Sequence, residues 1–187
     1  MSETKIADPG PLGLAGFGIT TCILSLINTG EVSGKAIGVV LGLALIYGGG
    51  AQLLAGIWEF RKGNTFGATA FSSYGAFWIA FYLIVKSGTT VGVGWFLLFF
   101  GILTFYLWIG TFFLNKALFW VFLTLWLAFF LLAIGNFDAS FGSTAGGWVG
   151  LLCGLLALYT SAAVVTNATA GRVVLPVGKP FRQPTVA

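Results

Sequence analysis

Six apolar runs, each long enough to cross a bilayer, take up most of this chain, and its charged residues fall in the breaks between them. A helix needs about 20 apolar residues to span ~30 Å of hydrocarbon. The runs cover 12–28, 36–58, 66–85, 91–114, 117–136 and 145–166. Strands do not fit: barrel strands alternate apolar and polar over ~10 residues, whereas Trp95-Phe96-Leu97-Leu98-Phe99-Phe100 is apolar on every face. Only 7% of the residues are charged, against roughly 25% in a soluble domain, too few to coat a water-facing surface. The expected fold class is therefore an all-α membrane protein: one membrane domain over residues 1–187, six transmembrane helices in a bundle, short tails at 1–11 and 167–187. The polar first eleven residues and the uninterrupted multi-span pattern after them do not read as a signal peptide.

Short breaks such as Asn115-Lys116 make sequential helices antiparallel neighbours. With six spans, both tails and the second and fourth loops share a side. That side carries Lys5, Arg61, Lys62, Lys116, Arg172, Lys179 and Arg182, seven of the nine basic residues, and the other carries Lys35 and Lys86. By the positive-inside rule the first side, with both termini, faces the cytoplasm. The basic residues punctuate the spans and form no stripe, which argues against nucleic acid as a partner despite a net charge of +4; the partner is membrane lipid. Tight loops suit a prokaryotic inner membrane and leave little room for a sensor or scaffold surface.

The interior holds no Lys, Arg, Asp or Glu near the middle of any span, and the chain has no histidine. Redox or group-transfer chemistry would need such groups, so the chain does not read as an enzyme, and no cofactor or metal site is expected. Cys22 and Cys153 are single thiols inside apolar runs and read as packing residues. Neutral polar residues are plentiful: Thr20, Thr21, Ser25 and Asn28 in the first span, Gln52 in the second, Thr69, Ser72, Ser73 and Tyr74 in the third. Unpartnered, such groups are costly in hydrocarbon, so they face one another or a hydrated path. Gln52, Asn64, Thr65, Thr69, Ser72 and Ser73 are the candidate path residues. Asp8 and Glu59, the acids nearest the apolar interior, are candidates for solute entry or proton transfer. A path lined this way suits a small organic anion or a small neutral solute, and residue chemistry leaves both open. Gly48-Gly49-Gly50 in the second span reads either as an unwound turn beside a cavity or as crowded helix packing. Gly146, Gly150 and Gly154, four apart, allow close approach of backbones.

Four ordered blocks carry a resemblance. They are Asp8-Pro9-Gly10-Pro11-Leu12-Gly13-Leu14, Gly48 to Gln52, Lys62-Gly63-Asn64-Thr65-Phe66-Gly67 running on to Gly75, and Gly171 to Gly178. The chain resembles the acetate uptake transporter family, the succinate-acetate permease group, whose amino-terminal signature is Asn-Pro-Ala-Pro-Leu-Gly-Leu. The resemblance implies a six-helix protomer, a ring-shaped homohexamer with a pore in each protomer, and passage of acetate and related small carboxylates, with succinate a candidate, linked to protons. It also implies a hydrophobic constriction of Phe17, Tyr74 and Leu125. The signature asparagine is Asp8 here and its alanine is Gly10. An ionised aspartate cannot donate a hydrogen bond to a carboxylate, so Asp8 is expected to be protonated or ion-paired, with Lys5 as a candidate, unless the amino-terminal site differs. The alternative function is a passive channel for neutral solutes such as ammonia, urea or undissociated acids.

Overall fold

The structure is a computed structural model that describes residues 6–183. Six helices in it are long and apolar enough to cross a membrane: α1 (Gly10–Thr29), α2 (Gly34–Lys62), α3 (Thr65–Ser87), α4 (Val93–Thr111), α5 (Lys116–Phe137) and α6 (Thr144–Ala170). Their ends are written in local chemistry. Asn64 and Asn115 cap α3 and α5, each side-chain oxygen accepting from a backbone N–H three residues on, which satisfies an otherwise orphaned donor. α1, α2, α3 and α6 stop at Gly30, Gly63, Gly88 and Gly171, all with positive φ, a conformation that side chains bearing a Cβ rarely adopt. α2 continues to Lys62 beyond the Trp58 expected from hydropathy, so Glu59 lies within the helix.

The helices stand side by side in a closed ring. α1 packs on α2 and α6, α6 on α5, α5 on α4, and α2 on α3. The α3/α4 seam is the loosest at the backbone. Phe77 bridges it, its ring 4.9 Å from those of Phe96 and Phe100. α1, α3 and α5 start on the face that carries both chain ends (the near face) and run toward the far face.

The glycines do two kinds of work. Those of α6 serve contacts within the protomer: a Cβ on Gly150 would lie 2.6 Å from Ser25 Oγ of α1, on Gly154 2.9 Å from the Gly18 carbonyl, and on Gly146 2.6 Å from Leu132 of α5. The Gly146, Gly150, Gly154 stripe is therefore consumed inside the bundle. On α2, Gly34, Gly38 and Gly42 have nothing within 4 Å of where a Cβ would sit. Between its α-helical halves α2 passes through a π-helical segment, Ile46–Ala51, in which the Gln52 amide reaches the Tyr47 carbonyl. Gly48-Gly49-Gly50 thus forms a wide turn that stays helical. It is crowded as well, since a Cβ on Gly48 would lie 2.6 Å from Thr20 Oγ1 and one on Gly49 2.8 Å from Ile79.

On the near face the carboxyl tail runs back across the bundle. Asn167 of α6 brackets it, donating to the Leu175 carbonyl and accepting from the Val174 and Leu175 amides. Tyr159 donates to the Pro176 carbonyl at 2.7 Å. The Val177 carbonyl accepts from Ala117 N–H, a first-turn donor of α5 that has no partner within its own helix. Phe181 then packs on Phe119, ring centroids 4.8 Å apart.

Candidate functional site

Two cavities lie end to end along the inside of the ring. The far cavity holds about 370 Å³ and is lined mainly by apolar side chains, with Thr21, Ser25, Asn28 and Asn136 among its polar members and no charged residue among the described ones. The near cavity holds about 250 Å³ and is more polar, with Asp8, Glu59, Lys62, Asn64, Asn115 and Thr160 in its wall.

What separates them follows from helix geometry. On α1, Leu14 lines the near cavity while Phe17 and Thr21 line the far one; on α5, Phe122 lines the near cavity while Leu125 and Phe129 line the far one. On α3, Ala70 and Trp78 line the two cavities, and Tyr74, midway between them, lines neither. Residues three or four apart stack on one helix face, so the wall between the cavities is about one helical turn thick, ~5.4 Å, along α1 and α5, and about two turns along α3, where Tyr74 stands between the linings. Phe17, Tyr74, Phe122 and Leu125 are all at most 5% exposed. The Tyr74 ring lies 5.9 Å from Phe17 and 6.1 Å from Phe122. Leu14 and Phe122 belong to this layer and were not singled out from sequence; their i+3 spacing before Phe17 and Leu125 is the signal that could have found them.

The Tyr74 hydroxyl does not face either cavity. It donates to Thr104 Oγ1 of α4 at 2.9 Å, and Thr104 in turn donates to the Phe100 carbonyl at 2.6 Å. The hydroxyl therefore ties α3 to α4 across the loose seam, which sequence reasoning could not see because Thr104 lies thirty residues away.

Thr21, Ser25 and Asn28 line the far cavity, and of the six candidate path residues Asn64 alone lines either one. Thr65 is exposed at the start of α3, and Thr69, Ser72 and Ser73 are half-buried outside both cavities. Ser72 packs against α2 at Gly56, where a Cβ would meet its backbone N at 2.5 Å. Gln52 is buried between α1 and α2, beside Gly16, and its Oε1 accepts no hydrogen bond from the described residues. Gln52 and Ser72 stand at helix–helix contacts, each with a buried side-chain oxygen that has no hydrogen-bond partner among the described residues.

Asp8 and Glu59 do come together. Asp8 Oδ1 accepts from Lys62 Nζ at 2.8 Å and from the Gly10 amide at 2.9 Å. Glu59 Oε2 lies 3.8 Å from the same ammonium and receives no hydrogen bond from the described residues. The Glu59 side chain lies flat on Gly67, where a Cβ would sit 2.8 Å from the carboxyl carbon. Asp8 is thus paired with Lys62. Lys5, the partner considered from sequence, lies outside the described residues. Both departures from the family signature touch, because a Cβ at Gly10 would lie 3.0 Å from Asp8 Oδ1.

Six membrane-crossing helices around two cavities in line, divided by a single apolar layer, define a polytopic membrane transporter or channel. Residues 1–180 match the GPR1/FUN34/yaaH family, and the chain belongs to that family. It is 43% identical to the succinate-acetate/proton symporter SatP of Escherichia coli over 96% of this chain and 99% of that protein. It is 38% identical to acetate permease A of Emericella nidulans over 92% of this chain and 66% of that protein. The solved structure of the bacterial acetate channel SatP superposes with a TM-score of 0.86 at 41% identity, covering 93% of this chain and all of that one. The family is one of transporters and channels, not of enzymes.

Proposed function

We propose that this protein moves acetate and related small carboxylates, succinate among them, across the prokaryotic inner membrane, with both termini in the cytoplasm and a proton accompanying each carboxylate. The observation that carries the reading is the pair of cavities meeting at one thin apolar layer. A solute of a few heavy atoms rests in either cavity and has about one to two helical turns of hydrophobic wall to pass. Phe17, Tyr74 and Leu125, with Leu14 and Phe122, act as that wall, and an apolar constriction gates by excluding water.

The wall penalises charge. A carboxylate stripped of water without replacement hydrogen bonds is far costlier to move than the neutral acid. Passage with a proton removes that cost, and Glu59, buried in the near cavity with an unpartnered oxygen, is the group best positioned to hand one over. The uncharged lining of the far cavity equally favours a second reading, a passive channel for neutral solutes such as ammonia, urea or undissociated acids. A homohexamer would use the one glycine face left open, Gly34, Gly38 and Gly42 of α2, since small residues let helices of neighbouring protomers approach in lipid.

The test is purified protein in liposomes, with labelled acetate uptake measured under an imposed pH gradient and, separately, an imposed voltage. Uptake driven by the pH gradient and saturable by acetate and succinate supports the proposal. Flux of ammonia and urea without saturable acetate uptake refutes it in favour of the neutral channel. Reporter fusions at Lys116 and at the carboxyl end should read cytoplasmic, and fusions near Ser87 and Ser140 external.

A further inference from the structure

Lys62 is the single cation in the wall of either cavity among the described residues. It stands at the near mouth with 35% of its side chain exposed, so a solute can reach it. Its ammonium is already occupied, by a carboxylate that belongs to the chain itself: Asp8, 2.8 Å away and 45% exposed. Asp8 is held in that pose by the Gly10 amide at the start of α1, and the missing side chain at Gly10 leaves the carboxylate room to turn back. The second acid, Glu59, sits farther from the ammonium at 3.8 Å and is buried beneath it.

We propose that Lys62 is a carboxylate-binding subsite at the near mouth, and that Asp8 is its tethered competitor, a built-in substitute for the transported carboxylate. The inference rests on the reading of the protein as a carboxylate transporter. An aspartate side chain ends in the same acetate group, –CH2–COO⁻, that a small monocarboxylate presents. A tethered group acts as a local concentration on the order of millimolar. A free carboxylate must therefore outcompete Asp8 before it occupies Lys62, which raises the concentration at which the near mouth fills. The pair is half-exposed, so its strength is that of a surface ion pair, roughly a two- to five-fold effect on an equilibrium. That is weak enough for a substrate at millimolar concentration to displace it. An asparagine at position 8 would leave the ammonium with Glu59 alone, the more distant acid at 3.8 Å.

Simple repulsion of anions by Asp8 would also slow near-side entry, and a double-variant cycle separates the two. Asp8→Asn keeps an oxygen for the Gly10 amide and removes only the charge. Lys62→Gln removes the subsite. Proteoliposomes are oriented near face outward, checked by protease access to a tag on the carboxyl tail, and labelled acetate uptake is measured against concentration. Asp8→Asn should lower the half-saturating acetate concentration about two- to five-fold with little change in maximal rate, and Lys62→Gln should raise it. In the Lys62→Gln background, Asp8→Asn should have no further effect. An equal effect of Asp8→Asn in both backgrounds would mean repulsion without competition, and would overturn the proposal. So would an unchanged half-saturation in Asp8→Asn protein that transports normally, and in that case the carboxylate reading itself would stand. Wild-type protein that moves no carboxylate would remove both.

Discussion

Replacing Tyr74 by phenylalanine deletes one oxygen at the layer between the cavities, and the structure makes its effect specific. The hydroxyl donates to Thr104, whose own proton already goes to the Phe100 carbonyl. In Tyr74→Phe no donor is left stranded, so the loss is that of one neutral hydrogen bond, about 1 kcal/mol. Thr104→Val keeps the shape but leaves a fully buried phenol without its acceptor, which costs about 1–3 kcal/mol. The ordering is the test: Thr104→Val should destabilise more than Tyr74→Phe, and the double variant should resemble Tyr74→Phe alone. Thermal unfolding in detergent reads stability, and liposome flux reads function. With the α3/α4 tie gone the Tyr74 ring loses its anchor, so both single variants should admit larger carboxylates while acetate flux holds or rises. A several-fold fall in acetate flux for Tyr74→Phe, with Thr104→Val unaffected, would refute this account and return the hydroxyl to direct contact with the substrate.

Three further outcomes follow from the packing. Leu125→Ala removes three carbons from the layer beside an existing cavity; flux should rise and larger carboxylates should pass, at a stability cost near the lower end of the ~2–5 kcal/mol seen for such truncations, measured by substrate profile and unfolding temperature. Gly42→Leu, on the open face of α2, should disrupt the proposed homohexamer yet leave the protomer folded, whereas Gly150→Leu, against Ser25, should unfold it; size-exclusion profiles distinguish them. Asp138, at the far end of α5, is held below the usual carboxylate range by the Ser140 hydroxyl and amide. Its folded-state pKa is depressed, so its contribution is present above the unfolded pKa and lost as pH falls through the folded one. Ser140→Ala should shift the Asp138 titration upward in an NMR experiment.

The helices were legible because a twenty-residue apolar run in a chain with few charges has no other stable use. The buried apolar layer was partly legible: the family resemblance named Phe17, Tyr74 and Leu125, which lie in it, whereas Leu14 and Phe122 needed the cavities. Of the polar residues named from sequence, Thr21, Ser25, Asn28 and Asn64 line a cavity, and Thr69, Ser72 and Ser73 do not. Thr69, Ser72 and Ser73, at i, i+3 and i+4, do share one face of α3, but at ~100° per residue that face lies about a quarter-turn round from the one that lines the cavities. The cavity-lining row of α3 is instead Phe66, Ala70, Phe77 and Phe81, which reads as ordinary core. Lys62 pairing with Asp8 joins positions 54 apart, a relation no local pattern encodes.

The π-helical segment of α2 has a consequence for every residue after it. A π turn carries about one residue more than an α turn, so α2 stores a surplus residue halfway across the bilayer. Deleting one of Gly48, Gly49 or Gly50 would remove that surplus and keep the register, whereas winding all of these residues as a continuous α-helix would straighten the turn. Glu59 and Lys62 would then swing about 100° around the helix axis and shift ~1.5 Å along it. The carboxylate would leave its bed on Gly67, and the ammonium would lose Asp8, with no change to any of those side chains. The alignment of the charged mouth is therefore held by one wide turn, built around three glycines far from any of those side chains.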